Sequence, residues 1–224
     1  MPMRATTVRF DDALWRLLER EARKEGVSAA QFVRDATVMR VAHARGGRGE
    51  PLYAEPDAPG LAAAVSDPGR LATLRATGLL DGVPEPQFDR LAALAARVLG
   101  APVALVSLVD EDRQVFKSCL GLPEPWGSRR ETPLTHSFCQ HAVARREPLL
   151  VEDAREDPVL KTNLAIRDLG VIAYAGIPLI HDGQALGTLC VTDSRPRHWT
   201  PDQVGLLRDI AASVITEIRL ARAA

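Results

Sequence analysis

The sequence predicts an α+β protein: an antiparallel sheet flanked by helices, preceded by a small strand–helix–helix unit. Three observations carry this. Residues 172–179 and 186–193 are apolar runs rich in Val, Ile and Leu, and Asp182-Gly183 between them is the strongest short-range hairpin signal. Thr200-Pro-Asp-Gln203 is a capping box with proline at the first helical position. It opens a last helix whose Val204, Leu207, Ile210, Ala211, Val214 and Ile218 share one face. At the other end, Thr6, Val8 and Phe10 alternate with Ala5, Thr7 and Arg9, the period of a strand with one buried side.

The chain then divides in order. After the first strand, Asp11 or Asp12 caps a helix carrying Leu14, Leu17, Leu18 and Ala22 at helical spacing, and Gly26 ends it. Ser28-Ala-Ala-Gln31 is a capping box that starts a second helix with Phe32, Val33, Ala36 and Met39 along one face. One strand and two helices in about 45 residues bury too little surface to stand alone, and pairing two chains supplies the missing core. This order and spacing resembles the ribbon-helix-helix DNA-binding family over residues 3–44, so residues 1–45 are read as a dimerisation and DNA-binding unit. The resemblance implies that Ala5, Thr7 and Arg9 enter a major groove, and that backbone N–H groups at Ser28 and Ala29 hold a phosphate. The charge agrees. Residues 1–49 carry ten Lys/Arg against six Asp/Glu, a balance of +4, and the rest of the chain sums to −5.

Residues 46–69 are rich in Gly and Pro and poor in large apolar residues, the composition of a partly stiffened linker, with room for one helical turn at residues 61–65. Residues 70–222 form the second domain. Its expected elements are a short helix near 71–77, a helix 88–99 with Phe88, Leu91, Leu94, Ala95 and Val98 on its apolar stripe, and paired strands at 103–109 and 114–119. A loop 120–133, a helix 134–146, a strand 149–152, a short helix near 158–168 and the hairpin follow.

Several segments of this domain, quoted as they stand, resemble the GAF family of bacterial sensory proteins: Val103-Ala-Leu-Val-Ser-Leu-Val-Asp110, Gly121-Leu-Pro123, Glu131-Thr-Pro133, Ser137-Phe-Cys139, Ala175-Gly-Ile-Pro-Leu179 and Leu186-Gly-Thr-Leu-Cys-Val-Thr-Asp193. The resemblance implies a cup-shaped pocket for a small molecule, bordered by Phe138, Cys139, His141, Asn163, Tyr174, Gly176 and Cys190. It does not name the ligand, and no cofactor follows from the residues.

Cys119, Cys139 and Cys190 are widely spaced and form no CxxC, so neither a disulfide scaffold nor a four-cysteine zinc site is expected. On one continuous helix His136 and Cys139 would be neighbours and His141 would point away, which argues against a metal site. The sequence lacks a glycine-rich phosphate loop, an HExxH and a GxSxG elbow, so the chain is expected not to be an enzyme and to have no catalytic residues. No apolar run reaches the ~18 residues of a membrane span, so a soluble cytoplasmic protein with no membrane partner is expected. The combined expectation is a homodimeric sensory regulator that binds DNA through its head and senses a small molecule or redox state through its body. Two alternatives stay open: a scaffold whose head only dimerises, and a thiol enzyme such as a methionine sulfoxide reductase, built on Cys139 and Cys190.

Overall fold

The computed structural model describes residues 10–24, 28, 29, 32, 33, 37, 60–81 and 83–221. The chain separates into two compact units, Met1–Leu52 and Tyr53–Ala224. In the first, the helix Asp12–Lys24 starts where Asp11 accepts the N–H groups of Ala13 at 3.0 Å and Leu14 at 2.8 Å. Ala22 is buried, while Leu14, Trp15 and Leu17 remain 40–43 % exposed. The Ser28 carbonyl accepts the N–H of Phe32 at 2.9 Å, a helical turn at the expected capping box. The expected ribbon residues Ala5, Thr7 and Arg9 lie outside the described residues.

The second unit is built on a six-stranded sheet of order β3-β2-β1-β6-β5-β4, with β1 Val103–Val109, β2 Arg113–Leu120, β3 Glu131–Pro133, β4 Leu149–Val151, β5 Ala173–His181 and β6 Gln184–Asp193. Every neighbouring pair is antiparallel. Asp182 and Gly183 turn β5 into β6 with φ of 47° and 72°, the two left-handed positions that a tight hairpin requires. β1 and β6 are apolar almost throughout because both of their faces are covered.

The pleat sorts the side chains. Ala104, Val106, Leu108, Ala175, Ile177, Leu189 and Val191 face the helices Pro86–Leu99 and Pro201–Ala221 and form one core with Phe88, Leu207, Val214 and Ile218. Leu105, Val109, Tyr174 and Cys190 join a second core with Phe138, Cys139, Ala142 and Val143.

Three expectations are corrected here. The stripe on the Pro86–Leu99 helix is rotated: Ala92, Ala95, Ala96 and Leu99 are buried, whereas Leu94 and Val98 are 41 % exposed. Alanines let the helix approach its neighbours closely, and that outweighs the area offered by larger residues. The expected helix 134–146 is broken at Ser137, whose extended backbone separates a 3-10 turn at Leu134–His136 from the helix Cys139–Arg145. The Ser137 hydroxyl accepts the N–H of Gln140 at 3.1 Å and starts the second piece. Residues read as linker belong to the body: Leu61 and Val65 of the helix Leu61–Val65 are buried in the second core. The guanidinium of Arg70, itself buried, donates to the Val65 carbonyl at 3.0 Å and the Val109 carbonyl at 2.7 Å. Composition hid this because the segment that crosses to the sheet is short.

At Gly187 β6 passes close to the backbone of β1. A Cβ there would lie 1.9 Å from the Ser107 carbonyl oxygen and 2.8 Å from Leu108 Cα, both backbone atoms. Gly205, in the last helix, has open space around it. Gly187→Ala is expected to destabilise by about 3 kcal/mol through overpacking, and Gly205→Ala to stabilise by about 0.5–1 kcal/mol. Urea midpoints at constant slope measure both, and a Gly187→Ala midpoint equal to wild type would refute the close approach.

Candidate functional site

Two sulfurs meet between the sheet and the Cys139–Arg145 helix. Cys139 opens the helix and Cys190 stands in the middle of β6, paired across the ladder with Leu105 on one side and Gly176 on the other. Their Sγ atoms are 3.9 Å apart and both residues are buried. Phe138 fixes the approach of Cys139, with its ring 5.5 Å from that of Tyr174.

Hydroxyl groups gather around this pair. Tyr174 Oη donates to Cys139 Sγ at 3.4 Å and lies 3.4 Å from Thr188 Oγ1. Thr188 and Ser107, from β6 and β1, add to the polar surroundings that favour the charged form of Cys139. The hydrogen bond from the Cys190 thiol is the largest influence on Cys139; burial opposes it, and with the hydroxyl donors added the Cys139 pKa comes down to about 6. Cys190 goes the other way, held protonated first by its bond to Cys139 and then by burial. Burial, reinforced by the charge on Cys139, raises the Tyr174 phenol. The contact therefore favours the charged form at Cys139 and the protonated form at Cys190. A thiolate of this kind is a nucleophile.

A cavity of ≈ 20 Å³ adjoins the sulfurs, lined by Phe138, Cys139, Tyr174 and Cys190 together with His136 and Leu105 among others. His136 sits between Thr135, 3.0 Å from its Nδ1, and Asp168, 3.0 Å from its Nε2, with its ring 5.1 Å from Trp126. Burial pushes the Asp168 carboxyl up, but hydrogen bonds from Arg167 and His136 outweigh it and leave it below the usual range.

Of the expected pocket residues, Phe138, Cys139, Tyr174 and Cys190 line this cavity, while His141, Asn163 and Gly176 do not. His141 is two residues past Cys139 on a helix, which turns it to the far side. Asn163 caps the helix Leu164–Asp168 by accepting the Ala165 N–H at 3.0 Å, and its amide donates to the Ser137 carbonyl at 3.3 Å. Gly176 acts through an absence. A Cβ there would lie 2.1 Å from Tyr174 Oη, so glycine makes the space in which the phenol reaches Cys139. Ser107 and Thr188 escaped the sequence reading. Their signal was present: Ser107 is the lone hydroxyl of a buried apolar strand, and Thr188 stands inside the buried stretch of β6 between Gly187 and Leu189. Ser28 is exposed and Ala29 half-buried in the first unit. Cys119 stays apart, its Sγ 3.6 Å from the Gly127 carbonyl.

The fold and site define a sensory-type α+β cup closed over a thiol pair, and the comparisons give its family. The family model for the GAF domain matches residues 84–218, and the chain belongs to the GAF family. It is a sensory and signalling domain. A cyclic di-GMP phosphodiesterase of Pseudomonas aeruginosa is 33 % identical over 156 residues, 68 % of this chain and 26 % of that protein. The chain thus spans about a quarter of the length of that relative. Among solved structures, the GAF domain of a Coxiella burnetii phosphoenolpyruvate-protein phosphotransferase aligns over 70 % of this chain and 98 % of its own, with a TM-score of 0.52 and 20 % identity. A free methionine-R-sulfoxide reductase from Neisseria meningitidis aligns over 74 % and 87 %, with a TM-score of 0.51 and 18 % identity.

These findings overturn the expectation that the chain is not an enzyme. Its curated relative is named a phosphodiesterase, and the fold is shared with a methionine-R-sulfoxide reductase. Missing phosphate-loop, HExxH and GxSxG motifs exclude only the chemistries those motifs serve, and thiol chemistry needs none of them. Among the described residues no helix is long and apolar enough to cross a membrane.

The Tyr174 hydroxyl stabilises the charged sulfur, so Tyr174→Phe should raise the midpoint of Cys139 ionisation from about 6 by about one pH unit or more, the effect of losing a hydrogen bond to a charged group. Gly176→Ala should act in the same direction by displacing the phenol. Thiolate ultraviolet absorbance against pH reads both, and an unmoved midpoint in Tyr174→Phe would refute the role. Because the folded Cys139 ionises below its ordinary 9.0, the stability it contributes is fully present above 9.0 and is lost as pH falls through about 6.

Proposed function

We propose that this protein is a dimeric sensory regulator whose GAF body reads redox state through the Cys139–Cys190 pair and whose N-terminal unit binds DNA. The observation that carries the sensory half is the 3.9 Å approach of two buried, oppositely tuned sulfurs. Losing two hydrogens would pull them to the ~2.05 Å of a disulfide. That motion shifts the first turn of the Cys139–Arg145 helix against β6 and converts a chemical state into a packing change. The reading fits a reducing cytoplasm, in which the three cysteines stay free until oxidant arrives.

The DNA half is supported by the +4 balance of residues 1–49 and by the order of strand, acidic helix start and second capping box. Ala5, Thr7 and Arg9 are the proposed base-reading residues, with the backbone at Ser28 and Ala29 on a phosphate. Leu14, Trp15 and Leu17, exposed along one helix, support pairing of two copies through this unit.

The sulfur pair also favours a second reading, a thiol-dependent reductase. Multiple turnovers of a free sulfoxide with a dithiol reductant would establish it. The match to part of a cyclic di-GMP phosphodiesterase supports a related role, in which such a body serves cyclic-dinucleotide signalling.

On mild oxidation, the intact mass should fall by two hydrogens and peptide mapping should place the bond between Cys139 and Cys190. A bond to Cys119, or none, would refute the redox reading. For the DNA half, Arg9→Ala should relax preference at one position of each half-site, with a loss of about 1–3 kcal/mol. Binding to selected duplexes at two salt concentrations measures it, and a wild type without a preferred duplex would leave a head that only dimerises.

A further inference from the structure

The cavity beside the sulfurs says which oxidant they meet, an inference that rests on the dithiol reading above. The pocket is small, its walls at Leu105, Phe138 and Tyr174 are packed side chains of the second core, and Cys139 and Cys190 are only 2 % and 0 % exposed. Both cysteines border it. With so little of either cysteine exposed, a substrate with a side chain, such as a methionine sulfoxide or a glutathione disulfide, cannot bring its reacting atom to the sulfurs without moving those walls. Hydrogen peroxide exceeds water by one oxygen. We propose that the body is a peroxide-reactive site, in which a single hydrogen peroxide enters the cavity and is reduced by Cys139 and Cys190.

The chemistry balances. The Cys139 thiolate attacks one peroxide oxygen, the O–O bond breaks, and Cys139 becomes a sulfenic acid. The departing hydroxide takes back the proton that thiol ionisation released, leaving as water. The Tyr174 hydroxyl, 3.4 Å from Cys139 Sγ and in the wall of the same pocket, is placed to donate to that oxygen as its charge develops. Cys190, kept as a thiol by the same contact, then attacks the sulfenic sulfur at a starting separation of 3.9 Å. The S–S bond forms, and the hydroxyl leaves with the Cys190 proton as a second water. Two thiols are oxidised by two electrons and one peroxide is reduced to two waters.

Reduced full-length protein should be treated with hydrogen peroxide, cumene hydroperoxide or oxidised glutathione, and the Cys139–Cys190 bond followed by intact mass. Hydrogen peroxide should form it fastest, with the two bulky oxidants slower on the order of a hundredfold, the loss expected when reacting atoms are held about an ångström out of place. Cys190→Ser should gain one oxygen at Cys139, and Cys139→Ser should form no adduct at Cys190. Equal rates for all three oxidants would overturn the peroxide assignment and leave the dithiol reading standing. No bond with any oxidant would sink both. The oxidant comparison uses wild-type protein, so it decides the matter even where a variant folds poorly.

Discussion

The contact of β6 with β1 at Gly187 is the constraint on which the rest depends. Only hydrogen fits beneath the Ser107 carbonyl at that point, and the strands close over it from Val103↔Thr192 to Leu108↔Gly187. With this register, Leu189 and Val191 face the long helices while Thr188 and Cys190 face the Cys139–Arg145 helix. A slip of one residue would exchange the two sets and turn the thiol into the wrong core. The backbone thus decides which side of the sheet is chemical and which is structural.

The chemical side is a small polar cluster inside an apolar layer. An isolated hydroxyl or thiolate there would be costly. Tyr174, Thr188 and the two cysteines satisfy one another, and they come from three distant parts of the chain: β5, β6 and the helix that follows Ser137. The donors are present before any reaction occurs. Their arrangement is therefore a property of the fold, which needs no reorganisation when charge appears. Gly176 shows how closely this is set, since one methyl group there would occupy the space of the phenol oxygen.

Much of the sheet was legible from local signals. Asp182-Gly183, the paired runs at 103–109 and 113–120 and the capping box at Thr200 each state their structure within a few residues. The elements that were misread depend on contacts distant in sequence. Alanines took the core face of the Pro86–Leu99 helix because of how near its neighbours lie, and Leu61 and Val65 were claimed by a core whose other members lie at Leu105 and beyond. In the site, Phe138, Cys139, Tyr174 and Cys190 converge because strand pairing and the break at Ser137 bring them together. Asn163 and His141 were drawn elsewhere by a cap and by helix rotation. Ser107 and Thr188 were visible only as polarity in the wrong place, a weaker signal than a motif.

Arg70 has a practical meaning for anyone dividing the molecule. Its guanidinium joins the Val65 carbonyl to the end of β1, and Asp67 caps the helix Pro68–Ala76 by accepting the Arg70 N–H at 2.7 Å. A cut placed where the family match begins, at residue 84, would discard this joint together with Leu61, Val65 and the Leu71 and Leu74 side chains. It would strip one cover from the thiol-bearing layer and leave the Val109 carbonyl without its arginine. Grafting the body onto another partner should therefore carry the chain from residue 60 onward, and the natural seam between modules lies before that glycine.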